Sequence, residues 1–333
     1  MKNFLSMRIS RETAKNAKDA KQVMLAFLLL VATPFAVADT DYRLEPVEVA
    51  PGTYVLLGQN AHFAFANACN IVNTGFIVTD DGVLVIDSGP SRLYGEQLRA
   101  AIARVTDKPI VRVLNTHLHP DHFLGNQAFA DLPVSALPKT VSGIGQHGEG
   151  FNDSMYRLCG AAMKGTYVQA PTEPVEPGML EIGGHRLHLM ALEGHTDADL
   201  VVLDETTGVL FAGDLVFNQR APTTPHARIP IWRTSLQALS EMTFKVLVPG
   251  HGPVTDDASA IEQTDAYLVW LDSHLRDAAE SGHSMAEVLH PEAPAKIERL
   301  AVFADEYQRS VEHLYPTMEL DALSKGHVEQ TLD

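Results

Sequence analysis

The sequence predicts an α/β fold that ends in a helical C-terminal extension. Three observations carry this expectation: β-rich runs paired across turn residues between Asn70 and Val248, a helical stripe after the first pair, and two more helical stripes beyond Gly252. The composition agrees. Of 333 residues, 45% are hydrophobic and 20% charged, the balance of a globular chain long enough to bury a core without disulfide staples.

The beginning of the chain reads as an address. Lys2, Arg8, Arg11, Lys15, Lys18 and Lys21 outnumber Glu12 and Asp19, an apolar run extends from Val23 to Val31, and Ala36-Val37-Ala38 follows. Small residues at Ala36 and Ala38 fit a secretory cleavage site, and the segment falls short of the ~20 residues needed to cross a bilayer. Residues 1–38 are therefore expected to be a secretory signal peptide. Cleavage would leave a periplasmic or secreted protein with no stable membrane span.

Asn70 to Val78 and Val83 to Ile86 flank Thr79-Asp80-Asp81-Gly82, a hairpin signal. From Ser91 to Thr106 the period changes. Leu98, Ile102 and Val105 share a helical face, Pro109 stops the helix, and Ile110 to Leu114 forms a short buried strand. Lys139 to Gly178, rich in Gly and Pro, reads as an irregular insertion and a candidate cover over a site. Leu187, Leu189 and Ala191 alternate as a strand; Leu200 to Leu203 and Val209 to Ala212 flank the turn Asp204 to Gly208; Lys245 to Val248 ends in Pro249-Gly250. Beyond Gly252, Ile261, Leu268, Leu271 and Leu275 form one helical stripe. Phe303, Tyr307, Val311 and Leu314 form another, expected to end at Pro316.

Charge excludes some partners. Twenty-five Lys and Arg against 42 Asp and Glu give a net charge of -17, which repels phosphate backbones and anionic bilayers and argues against nucleic-acid binding. The expected partner is a small molecule.

The chemistry concentrates in Asn115-Thr116-His117-Leu118-His119-Pro120-Asp121-His122, directly after a strand. In extended backbone, residues i and i+2 point the same way, so His117 and His119 can converge on one cation. Pro120 bends the chain and aims Asp121 and His122 at a second cation ~3.5–4 Å away. Imidazoles and a carboxylate suit zinc. Three further candidates stand beside glycines at strand ends: His195 after Gly194, Asp214 after Gly213, and His251 after Gly250.

This arrangement resembles the metallo-β-lactamase superfamily from roughly Tyr54 to Gly252. The motifs occur in the family's order: the Asp87 end of Leu84-Val85-Ile86-Asp87, the HxHxDH run, His195, Asp214 and His251. The resemblance implies an αββα sandwich over residues 39–255 with the helical extension, 256–333, packed on it. It also implies that His117, His119 and His195 hold a first metal, that Asp121, His122 and His251 hold a second, and that Asp214 bridges them. His119 stands where the family's diiron flavoproteins carry a carboxylate, and Asp214 where many zinc β-lactamases carry Cys or Ser. The site is thus most similar to glyoxalase II and its relatives. The leader and tail look most like exported metallohydrolases associated with sulfur oxidation and quinoprotein systems.

The implied activity is zinc-dependent hydrolysis of an ester, thioester or lactam carbonyl by a metal-bridging hydroxide. Two zinc ions, Asp121, Asp214 and the hydroxide sum to a formal charge of about +1, which favours anionic substrates and developing oxyanions. Asp121 and Asp87 are the residues expected to serve catalysis beyond simple ligation, Asp87 by orienting a ligand or moving a proton. A mononuclear iron persulfide dioxygenase, with His117, His195 and Asp214 as ligands, is the alternative enzyme. A non-catalytic metal- or quinone-binding accessory protein is the other alternative.

His62, His147 and His226 fall in segments expected to be loops bordering the pocket, as substrate contacts or as plain surface residues. His185, His188, His274, His283, His290 and His313 read as structural. The tail from Asp256 onward is acidic without a basic cluster, so it is expected to offer nothing to hold a long anionic substrate. Cys69 and Cys159 either pair and tie the cover to the scaffold, or stay apart as two buried thiols.

Overall fold

The computed structural model describes residues 40–330. The expected leader, residues 1–38, lies outside the described residues. Two sheets face each other. The first runs in sequence order: β1 (Val47–Ala50), β2 (Thr53–Leu56), β3 (Thr74–Val78), β4 (Val83–Ile86), β5 (Ile110–Leu114), β6 (Val134–Ala136) and β7 (Glu173–Pro174). It is antiparallel as far as β4 and parallel from there. The second contains β8 (Gly178–Ile182), β9 (His185–Leu192), β10 (Asp199–Asp204), β11 (Val209–Phe217) and β12 (Val246–His251), with only β11 and β12 parallel.

Each parallel step requires a crossover, and helices supply most of them. They are α1 (Arg92–Val105) between β4 and β5, α2 (Pro120–Phe123) between β5 and β6, α3 (Pro138–Cys159) between β6 and β7, and α4 (Ile229–Ser240) between β11 and β12. Two long helices, α5 (Ser259–Glu280) and α6 (Phe303–Gln330), form most of the extension.

Alternation along the strands explains the layers. In β4, Val83 and Val85 join the cluster under α1 and α3, while Leu84 and Ile86 face the second sheet. In β10, Leu200 and Val202 face the first sheet, while Val201 and Leu203 pack outward with Leu268, Leu271, Tyr307 and Val311 of α5 and α6. The central strands β4, β10 and β11 are covered on both faces, which is why they read as apolar runs, whereas β8 and β9 keep an alternating pattern. The result is the expected αββα sandwich.

Two expectations fail. Residues 139–178 are not irregular throughout, because the 22-residue helix α3 begins one residue before that region and runs through its first half. Pro138 opens the helix, where a missing N–H costs nothing, and Thr140, Ile144, Gly148, Met155 and Cys159 form its buried face. Four glycines hide this stripe in the sequence. Gly148 is small because a Cβ there would come within 2.9 Å of the Val168 side chain. Pro316 does not end α6 either; the helix runs through it. Pro316 weakens one turn, but the flanking turn is anchored by Tyr315, whose buried hydroxyl donates to the His283 carbonyl at 2.6 Å. Among the described residues, no helix is long and apolar enough to cross a membrane.

Cys69 and Cys159 form a disulfide, with their Cα atoms 5.6 Å apart. It ties the C-terminal end of α3 to the loop before β3. The bond closes a separation of 90 residues, so replacing both cysteines by alanine should lower the unfolding free energy by about 2–4 kcal/mol. Urea titration of the oxidised protein and the double variant measures this, and coincident midpoints would contradict it.

Candidate metal centre

The site lies where strands from both sheets end. β5 runs into His117, β11 contains Asp214, β12 ends at His251, and the β9–β10 turn carries His195. Two glycines make the approach possible. A Cβ on Gly250 would lie 1.9 Å from Oδ1 of Asp214, so only glycine leaves room for that carboxylate. Gly194, at φ +136°, lets the His195 turn lie against the backbone of Trp232. Asn73 stitches the sheets together by donating from Nδ2 to the carbonyls of Pro249 and Gly252.

All seven predicted ligand residues come together, in two groups. Nδ1 of His119 lies 3.0 Å from Nε2 of His117 and 2.8 Å from Nε2 of His195. Oδ2 of Asp214 stands 3.3 Å from His195 Nε2 and 3.8 Å from His117 Nε2. In the second group, Oδ2 of Asp121 lies 3.8 Å from His122 Nε2 and 3.4 Å from His251 Nε2. Asp214 touches this group as well, with Oδ1 3.1 Å from His122 Nε2 and Oδ2 3.3 Å from His251 Nε2. Four ligands ~2.0–2.1 Å from a tetrahedral ion stand about 3.3 Å apart. Both groups could therefore hold a cation.

The surrounding contacts settle which ring nitrogens face inward. Asp87, buried and held at φ +59°, accepts from the Thr116 backbone N–H at 2.8 Å and from His122 Nδ1 at 2.7 Å. That leaves Nε2 of His122 for the centre. His251 Nδ1 donates to the Ile71 carbonyl at 2.8 Å, which aims its Nε2 the same way. His251 also stacks on Phe217, and His195 packs edge-on against Trp232.

Burial strongly disfavours charge on His117 and His119, and neighbouring imidazoles add to this, so both pKa values fall well below the usual histidine range. Neutral imidazole is the form that offers a lone pair. Burial also opposes charge on His122, but Asp214, Asp87 and Asp121 outweigh it and raise its pKa well above the usual range. Cation binding must then displace a proton from His122, so affinity should increase with pH.

A cavity of about 550 Å³ opens onto His119, Asp121, Asp214 and His251. Phe63, Phe151, Met155 and Leu158 give it an apolar wall. His62 and His226 line it, whereas His147 lies on α3 beside Phe151 instead of in a loop. His313, read as structural, lines it too. Arg220, Glu306 and Arg309 were not legible as site residues, and the last of them qualifies the expectation that the acidic tail, lacking a basic cluster, offers nothing to hold an anionic substrate: α6 contributes Arg309 to the cavity. Glu306 and Arg309 have the i, i+3 spacing of a helical pair. Nothing in the sequence says that they face a pocket.

The family profile of the metallo-β-lactamase superfamily matches residues 68–251, which include every residue of both groups. The chain belongs to the metallo-β-lactamase superfamily. Among curated relatives, the "Probable metallo-hydrolase YqjP" of Bacillus subtilis is 25% identical over 226 residues, covering 56% of this chain and 70% of that protein. The "Acyl-coenzyme A thioesterase MBLAC2" of Bos taurus is 27% identical over 210 residues, covering 56% and 75%. Among solved structures, a metallo-β-lactamase from Pontibacter korlensis superposes with a TM-score of 0.55 at 22% identity, covering 68% of this chain and 99% of that one. This superposition shows the shared fold.

Asp87→Ala should weaken metal binding by about 10–100-fold, because His122 would lose the acceptor that fixes its tautomer. Competition with a chromogenic chelator measures the change. Unaltered affinity would mean that Asp87 only shapes the turn.

Proposed function

We propose that the protein is an exported, zinc-dependent hydrolase that cleaves an ester, thioester or lactam carbonyl in a small molecule. The observation that carries this reading is the placement of Asp214 between two complete ligand groups. Asp121 Oδ2 is buried without a hydrogen-bond partner, and the buried His122 Nε2 and Asp214 Oδ1 have only their 3.1 Å approach to each other, without hydrogen-bond geometry, an arrangement that is costly unless a cation satisfies it. The donors are imidazole and carboxylate, a set that suits zinc. Zinc at such a centre supplies a hydroxide at neutral pH and polarises a carbonyl.

The chain's own residues supply the remainder. Asp214 joins the two groups, Asp121 completes the second, and Asp87 holds His122 in register. The cavity has the size of a small-molecule site. Its apolar wall can exclude water from one side of the substrate. The thioesterase named among the relatives supports thioesters within the substrate class. The basic and apolar leader supports export, and the disulfide suits an oxidising compartment. The second ligand group favours hydrolysis over the mononuclear iron alternative, which would leave Asp121, His122 and His251 without a role.

Zinc-loaded protein is expected to cleave an activated thioester or ester under nitrogen, with chelator abolishing the rate and added zinc restoring it. Oxygen consumption by iron-loaded protein with a persulfide, alongside a zinc form inert toward all three carbonyl classes, would overturn the reading.

A further inference from the structure

His119 differs from the other ligands in the ring nitrogen it turns inward. Its Nδ1 faces His117 and His195, so its Nε2 faces outward, where Nδ1 of His226 lies 2.8 Å away. For Nδ1 of His119 to offer a lone pair, Nε2 must carry the proton and donate it, and His226 Nδ1 must accept. The rings lie 5.1 Å apart, and Phe151 packs edge-on against both.

The segment bearing His226 is fixed from outside the ligand-bearing region. It belongs to the connection between β11 and α4, and the C-terminal extension pins it at three places. Ala221 N–H donates to the Ala301 carbonyl and Ala301 N–H to the Gln219 carbonyl. Arg220 pairs with Glu306 at 3.3 Å. The buried Thr224 hydroxyl donates to Ser310 Oγ at 2.7 Å, and Ser310 in turn donates to the Glu306 carbonyl. Thr224 stands two residues before His226, and the Ala227 N–H closes the turn onto the Thr224 carbonyl.

We infer that His226 is a positioning residue of the first metal group, fixing His119 in the Nε2–H tautomer, and that α6 sets its place through Thr224 and Ser310. The inference rests on the dinuclear reading above and adds a role for the extension: it helps to build the centre as well as cover the second sheet. His226 acts through His119, so its effect appears first in metal affinity.

The test uses the full chain and zinc alone. Chelator competition should show one of two zinc equivalents bound about 10–100-fold more weakly in His226→Ala. His226→Asn, whose Oδ1 occupies the place of Nδ1, should bind within about threefold of the wild type. Cobalt-substituted protein should show a changed visible spectrum in the alanine variant and not in the asparagine variant. Ser310→Ala should shift affinity in the same direction by a smaller factor. Wild-type affinity in His226→Ala, or equal weakening in the alanine and asparagine variants, would overturn the inference while leaving the dinuclear reading intact. Wild-type protein that binds fewer than two zinc ions would sink the dinuclear reading itself, before any variant is compared.

Discussion

Asp214→Ala protein should lose both metal equivalents together and retain on the order of a thousandth or less of the hydrolytic rate. The reason is geometric. One carboxylate places Oδ2 within 3.3 Å of ligand nitrogens from each group, on His195 and His251, and Oδ1 3.1 Å from His122. The charge argument points the same way: without this carboxylate, two dications would face each other across imidazoles with only Asp121 left as an anion. The residue is buried, and the imidazoles around it overcome the cost of burial to hold its pKa well below the carboxylate range. Elemental analysis and turnover measured on one preparation provide the check. His185→Ala is the control, because His185 pairs with Asp204 at 2.9 Å, outside both ligand groups. Full metal content in the Asp214 variant would remove the bridging role.

The centre was legible because its geometry is local. His117, His119, Asp121 and His122 lie within six residues, and i, i+2 extension followed by a proline turn already divides them into two directions. His195, Asp214 and His251 could be singled out by the glycines beside them, and the structure gives a reason for Gly250: any side chain there would collide with Asp214. The cavity wall was not legible. Phe151 and Met155 lie on α3, whose four glycines break the apolar period that would mark a helix, and tertiary packing together with the disulfide overrides their low helical propensity. Arg220 and Glu306 are 86 positions apart. No local pattern couples residues at that separation, so their pairing belongs to topology alone.

That pair yields the largest stability prediction. Arg220 and Glu306 are almost completely buried, at 1% and 0% side-chain exposure, and Arg309 and His62 approach the same carboxylate at 3.3 and 3.5 Å. Arg220 also donates to the Ala61 carbonyl, so the guanidinium joins the loop before β3 to α6. Glu306→Ala would leave a buried guanidinium without a counter-charge. A loss of about 3–5 kcal/mol is expected. Arg276→Ala, which breaks an exposed i, i+4 pair with Asp272, should cost no more than about 0.5 kcal/mol. Replacing both partners, as Arg220→Met with Glu306→Leu, should recover most of the deficit, since paired apolar groups carry no desolvation cost. Urea unfolding of the four proteins separates these cases. Recovery of stability without recovery of zinc affinity would show that the ion pair is kept for the placement of the His226 segment, whereas a Glu306→Ala protein within about 1 kcal/mol of the wild type would show that water reaches Arg220 and that the extension is held by its apolar stripes alone.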